Sequence, residues 1–164
     1  MIALIDYGVG NLFSLESSFR AIGETAVVTG DPDVIRKADR LILPGVGAFG
    51  DAIKKLEDTG LDIVIKKETD RGKPLLGICL GMQMLLEKSY EYGEHKGLGL
   101  IKGEVVPMEG TLPQELAIPQ IGWNRLELKG SSPLFRNTKE GEFVYFVHSF
   151  YGDKCDDNVI AYTD

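Results

Sequence analysis

Short unbroken apolar runs alternate with stretches in which apolar residues recur every three or four positions. The two rhythms predict strands and helices in succession over the first half of the chain. Met1-Ile2-Ala3-Leu4-Ile5-Asp6 is the pattern of a strand covered on both faces of a parallel sheet. After Tyr7-Gly8-Val9-Gly10, Asn11 is a good N-cap for a helix from Leu12 to Ile22, with Leu12, Leu15, Phe19 and Ile22 on one face. Thr25 to Thr29 predicts a strand, Pro32 to Lys37 a short helix, Arg40 to Leu43 a strand, and Asp51 to Glu57 a helix. Between Gly60 and Lys73 an amphipathic helix is predicted, its lysines and acids forming a solvated face. Pro74-Leu75-Leu76-Gly77-Ile78 then predicts a short strand, with a helix over Met82 to Glu87.

Beyond Glu87 the rhythm changes. Ser89 to Gly99 is polar and punctuated by glycine, and Leu100 to Met108, Pro119 to Trp123, Arg125 to Lys129 and Phe143 to Phe150 predict strands with no long helix between them. The expected fold is α/β. It is one domain over residues 1–164 with a doubly wound, flavodoxin-like open mixed sheet, helices on both faces, and a more antiparallel C-terminal segment.

Cys79 falls between the strand ending at Ile78 and the helix that follows, in Gly77-Ile78-Cys79-Leu80-Gly81. This is the layout of a nucleophile elbow with sulfur in place of oxygen, in which glycines two residues either side leave room for strand and helix to pack. A position at a helix start favours thiolate. The alternative is a buried structural cysteine.

Pro44-Gly45-Val46-Gly47-Ala48-Phe49-Gly50 contains Gly45, Gly47 and Gly50 at G-x-G-x-x-G spacing, which raises a dinucleotide site. Against it, that pattern belongs to the first βαβ unit with an acid ending the next strand, and here the next strand ends in Ile78 and Cys79. A glycine-rich turn at a sheet edge can instead aim backbone N–H groups at an anionic oxygen, or be a plain strand-to-helix turn.

His148 ends an aromatic strand and is a candidate base for Cys79, although a hydrogen-bonded structural role suits it better; His95, in Glu94-His95-Lys96, reads as solvated. Trp123 and Asn124 fit either core or interface. The formal net charge of -7 argues against a nucleic-acid face. Two cysteines, Cys79 and Cys155, match no metal spacing and point to a reducing compartment. No apolar run is long enough to span a bilayer, so a cytoplasmic protein is expected.

Asp6-Tyr7-Gly8-Val9-Gly10-Asn11, Pro44-Gly45-Val46-Gly47, Gly77 to Gln83, Gly122-Trp123-Asn124 and Phe146-Val147-His148-Ser149-Phe150, taken in this order, resemble the class I (triad) glutamine amidotransferases. Among these, the likeness is to the glutaminases of histidine biosynthesis. The resemblance implies Cys79 as nucleophile, with oxyanion donors on Leu80 and on Val46 or Gly47. Gly47, Gln83, Glu91, Ser149 and Phe150 would hold glutamine, where the family often has Tyr in place of Phe150. It implies no cofactor and no metal. The ammonia would go to a (β/α)8 cyclase subunit, faced by Asn11, Trp123 and Asn124.

The family takes its catalytic His and Glu from a downstream Gln-Phe-His-Pro-Glu motif, which does not occur in this sequence. His148 matches a different position of the family, so it is not promoted to that role. The expectation is a C-terminally incomplete domain, catalytically deficient by itself, with apolar surface left open where a further strand and helix would pack. Two other readings are an amidotransferase subunit feeding a different synthase (aminobenzoate, nucleotide or surface sugar) and a non-catalytic binding module with an inert Cys79.

Overall fold

The computed structural model describes residues 1–111, 113 and 116–163; Asp164, the last residue of the expected domain, lies outside the described residues. The first half runs β1 (Ile2–Ile5), α1 (Leu12–Ala21), β2 (Ala26–Thr29), α2 (Pro32–Lys37), β3 (Arg40–Leu43), α3 (Phe49–Asp58), α4 (Leu61–Asp70), β4 (Leu75–Gly77) and α5 (Leu80–Gln83). Strands β2-β1-β3-β4 form one sheet in that order, and every pair is parallel.

Alternation along the strands sorts the core. Ile2, Leu4 and Ile42 face α1, whose Leu12, Leu15 and Phe19 pack on them. Ala3, Ile5, Leu41 and Leu43 face the other way, into a larger core with Ile35 of α2, Phe49 and Leu56 of α3, and Leu61 and Ile65 of α4. Each fully buried side chain of this size contributes about 2 kcal/mol. Helices therefore cover both faces, as expected, with one correction. Ile22 is exposed because α1 stops at Ala21, which carries Ile22 off the buried stripe.

A second correction concerns the charged face expected between Gly60 and Lys73. Glu68 is buried, and its carboxylate receives Lys73 Nζ at 2.8 Å and Arg71 at 2.8 Å. Lys73 also donates to the carbonyls of Ile35 (2.9 Å) and Arg36 (2.7 Å), so the cation closes the C-terminal end of α2.

The helix expected over Met82–Glu87 is cut short. Met84, Leu85 and Leu86 are all buried, which no single helix face permits. Their carbonyls accept instead from the N–H groups of Leu98, Leu100, Ile101 and Gly99. For the same reason the strand expected from Leu100 begins only at Glu104, since the amides of Leu100 and Ile101 are already used by Leu85.

The second half consists of β5 (Lys88–Ser89), β6 (His95–Lys96), β7 (Glu104–Pro107), β8 (Gln120–Arg125), β9 (Glu127–Leu128), β10 (Phe143–His148), β11 (Phe150–Asp153) and β12 (Ala161–Tyr162). Strand β7 pairs parallel with β5 and antiparallel with β11, while β8–β10, β9–β12 and β5–β6 are antiparallel. The predicted run Phe143–Phe150 is therefore two strands, which join different sheets on either side of Ser149.

Candidate functional site

Because β1, β3 and β4 are adjacent and parallel, the loops leaving their C-terminal ends lie side by side, the usual location of a site in an open α/β sheet. These loops are Asp6–Asn11, Pro44–Ala48 and the turn at Cys79.

Cys79 adopts φ 57°, ψ −122°, left-handed backbone that an L side chain seldom takes, and its side chain is exposed. The flanking glycines make that turn possible. A Cβ on Gly77 would stand 2.5 Å from the Cα of Met82, and one on Gly81 would overlap the carbonyl of Leu43. The amides of Met82 and Gln83 return to the Cys79 carbonyl at 2.9 and 3.2 Å, closing the turn. An exposed thiol on a strained strand-to-helix corner excludes the buried structural cysteine.

The Pro44–Ala48 bend lies against this elbow. A Cβ on Gly45 would meet the Gly81 nitrogen at 2.5 Å and the Leu80 carbonyl carbon at 2.9 Å. Val46 is exposed, and Gly47 sits at φ 86° with open space where a side chain would be. Gly50 is filled from outside by the His95 ring, whose Cε1 would lie 2.6 Å from a Cβ there. The three glycines of the G-x-G-x-x-G spacing thus serve packing against Gly81, an open turn, and packing against His95. His95, expected to be solvated, is half-buried there, with its ring 6.3 Å from that of Phe49.

On the other side of the elbow, Gln83 Nε2 donates to the Phe150 carbonyl at 3.2 Å. His148 Nδ1 reaches the same oxygen at 2.9 Å; a carbonyl can only accept, so this nitrogen carries the proton. His148 therefore props the turn into β11, the hydrogen-bonded structural role. Ser149 gives its carbonyl to Met108 at 2.9 Å. The Phe150 ring meets Tyr92 edge-on at 6.2 Å, and Glu91 turns its carboxylate to the Phe49 amide at 2.6 Å.

The model of the class-I glutamine amidotransferase family matches residues 3–163. The chain belongs to the class-I glutamine amidotransferase family. It is 52% identical over 158 residues to the imidazole glycerol phosphate synthase subunit HisH of Aquifex aeolicus, covering 96% of this chain and 74% of that protein. To the HisH subunit of Sulfurimonas denitrificans it is 50% identical, with 96% and 75% covered. Among solved structures, a glutamine amidotransferase superposes with a TM-score of 0.75 at 17% identity over 98% of this chain and 78% of the other, a likeness of fold.

In this family member, the predicted residues Gln83 and Phe150 are joined directly, and Glu91 is tied to the helix that follows the Gly45–Gly47 bend. Trp123 is 67% exposed on β8 and packs edge-on against Tyr145 at 5.5 Å, which excludes the core alternative. Asn124, next in the strand, turns inward and accepts from Gln120 at 2.7 Å. Asn11 caps α1, accepting from the Ser14 amide at 3.2 Å.

Sequence reasoning missed Tyr92, at φ 54° and 86% exposed beside Phe150, and Tyr7, buried beneath Pro44. Tyr92 stands next to Glu91, but nothing in the local pattern signals that its ring meets a strand nearly sixty residues on.

Proposed function

We propose that this chain is the glutaminase subunit of an imidazole glycerol phosphate synthase. The single observation that carries the chemistry is the exposed Cys79 at a strained corner, with the glycine-rich bend packed on it at Gly45. The half-identity to HisH subunits over nearly the whole chain supports the choice of synthase.

In this reading the Cys79 thiolate attacks the side-chain carboxamide carbon of glutamine. The C–N bond breaks, nitrogen leaves with an added proton as ammonia, and a γ-glutamyl thioester remains. Water then attacks the thioester, releasing glutamate and restoring the thiol. The oxygen that becomes negative at each step takes hydrogen bonds from the Leu80 amide and, after rotation of the bend, from Val46 or Gly47. Gly47, Gln83, Glu91, Ser149 and Phe150 hold the substrate, with Gln83 and His148 fixing the Phe150 carbonyl.

Ammonia passes to a (β/α)8 cyclase subunit docked on Asn11, Trp123 and Asn124, making the assembly a heterodimer. Trp123 suits such a place, since exposed aromatics are the usual anchors of interfaces. The steps need no metal and no cofactor. Among the described residues no helix is long and apolar enough to cross a membrane, which fits a cytoplasmic enzyme.

The test is glutamate release by the full-length protein with and without the cyclase subunit, paired with labelling by a diazo-ketone glutamine analogue. Partner-stimulated turnover and a single adduct on Cys79 are expected. An unlabelled Cys79 in an active complex would remove the thiol from the mechanism, and no turnover in any complex would favour a non-catalytic module.

A further inference from the structure

The Gly45–Gly47 bend has two anchored ends and a free middle. Upstream, Tyr7 is 3% exposed and donates its phenol proton to the Pro44 carbonyl at 2.8 Å. Burial pushes the phenol pKa well above its ordinary value, so the hydroxyl remains a donor throughout the neutral range. Gly10 approaches the same residue from the same loop, and a Cβ there would stand 2.9 Å from the Pro44 Cβ. Gly45 is pressed on the elbow. Downstream, the Phe49 amide is held by Glu91 and Gly50 lies under His95. Between these anchors Val46 is 51% exposed and Gly47 faces open space.

A peptide unit is planar, so fixing its carbonyl fixes the amide on its other side. The bond from Tyr7 therefore holds the Pro44–Gly45 unit, and rotation is left to the units around Val46 and Gly47. We propose that Tyr7 is a positioning residue for the glutaminase reaction. By holding the Pro44 carbonyl it confines reorientation of the oxyanion bend to the Val46–Gly47 region and joins that bend to the loop ending at Asn11. The assignment rests on the function proposed above. Loss of the hydroxyl lets the Pro44–Gly45 unit turn as well, and the donors spread over orientations of which few meet the oxyanion. A misplacement of this kind lowers turnover by on the order of tenfold or more, while substrate affinity, which Gly47 shares with Gln83, Glu91, Ser149 and Phe150, stays within about twofold.

The experiment compares the full-length protein with its Tyr7→Phe variant, each in complex with the cyclase subunit. It measures kcat, KM, stimulation by the partner, and iodoacetamide alkylation of Cys79, which needs no oxyanion donors. The expected result is a lower kcat and weaker stimulation with KM and alkylation rate unchanged. Tyr7→Met, which also lacks the hydroxyl and has a flexible side chain to fill the space, is expected to give the same signature and supplies the reading if Tyr7→Phe does not fold. Parental kcat and stimulation in the variant would overturn the assignment. So would a loss of kcat matched by altered alkylation, which marks general loosening of the elbow. An inactive parent complex would sink the glutaminase reading itself, and this assignment with it.

Discussion

Glu91 caps helix α3 from a distance of 42 residues: its carboxylate accepts the Phe49 amide at 2.6 Å, where the local N-cap, Ala48, has no side chain able to do so. A negative group at this end also meets the positive end of the helix dipole. Glu91→Ala is expected to lower stability by about 1 kcal/mol, the ordinary cost of a lost cap. Glu91→Gln keeps an acceptor oxygen and recovers part of that loss. If Glu91 also holds glutamine, both variants raise KM, which denaturation and steady-state kinetics separate from the stability effect.

The glycines of the elbow, held by close packing, should be far less replaceable than a glycine whose only constraint is a left-handed backbone. At Gly77 an added methyl runs into the Met82 backbone, which cannot move without opening the turn at Cys79. Gly77→Ala is expected to cost about 3 kcal/mol or more and to abolish glutaminase activity. Gly72, at φ 87° with nothing within 4 Å, pays only for the left-handed backbone, so Gly72→Ala costs about 1 kcal/mol and leaves activity intact. Chemical denaturation of the two variants side by side checks the contrast.

The elbow was legible because its chemistry is local: strand, cysteine, bracketing glycines and helix are contiguous in Gly77 to Gln83. The first half of the fold was legible for a similar reason, since Ile2–Ile5, Pro32–Lys37 and Arg40–Leu43 carry their own periodicity and caps. What escaped depends on partners distant in the chain. Whether the carbonyls of Met84, Leu85 and Leu86 stay in a helix is decided by amides at 98–101, and Glu68 reads as one more surface acid until Lys73 and Arg71 are folded over it. Phe143–Phe150 looks like one strand because alternation continues through Ser149, where the chain changes sheets.

The two cysteines should differ in reactivity. Cys79 is exposed, whereas Cys155 is half-buried, packed on the main core, and has its pKa raised by desolvation and by Asp156 and Asp153. At pH 7 iodoacetamide is expected to modify Cys79 at least about tenfold faster than Cys155, because only thiolate reacts and access differs. Peptide mapping after short exposure measures the ratio. Equal modification of both would show that the elbow gives Cys79 no advantage.

The Glu68–Lys73 pair should write an acid limb into the stability curve. The hydrogen bond from Lys73 leads the causes that hold the Glu68 carboxyl below its ordinary value of 4.5, with Arg71 adding to it. A depressed folded-state pKa means that the contribution is fully present above the unfolded value and is lost as pH falls through the folded one. Lys73→Met leaves Glu68 buried with Arg71 alone and removes the cation from the carbonyls of Ile35 and Arg36; about 3 kcal/mol is expected to be lost at pH 7. That difference from the parent narrows as pH drops below about 4.5, because protonated Glu68 no longer needs a counter-charge. Glu68→Gln combined with Lys73→Met should be more stable than Lys73→Met alone, since the uncompensated carboxylate is gone. Urea denaturation of the parent and both variants between pH 3 and pH 7, on the order of the window in which carboxylates titrate, tests the set. A Lys73→Met deficit that stays constant with pH would mean that the lysine acts on α2 alone and that Glu68 takes no part.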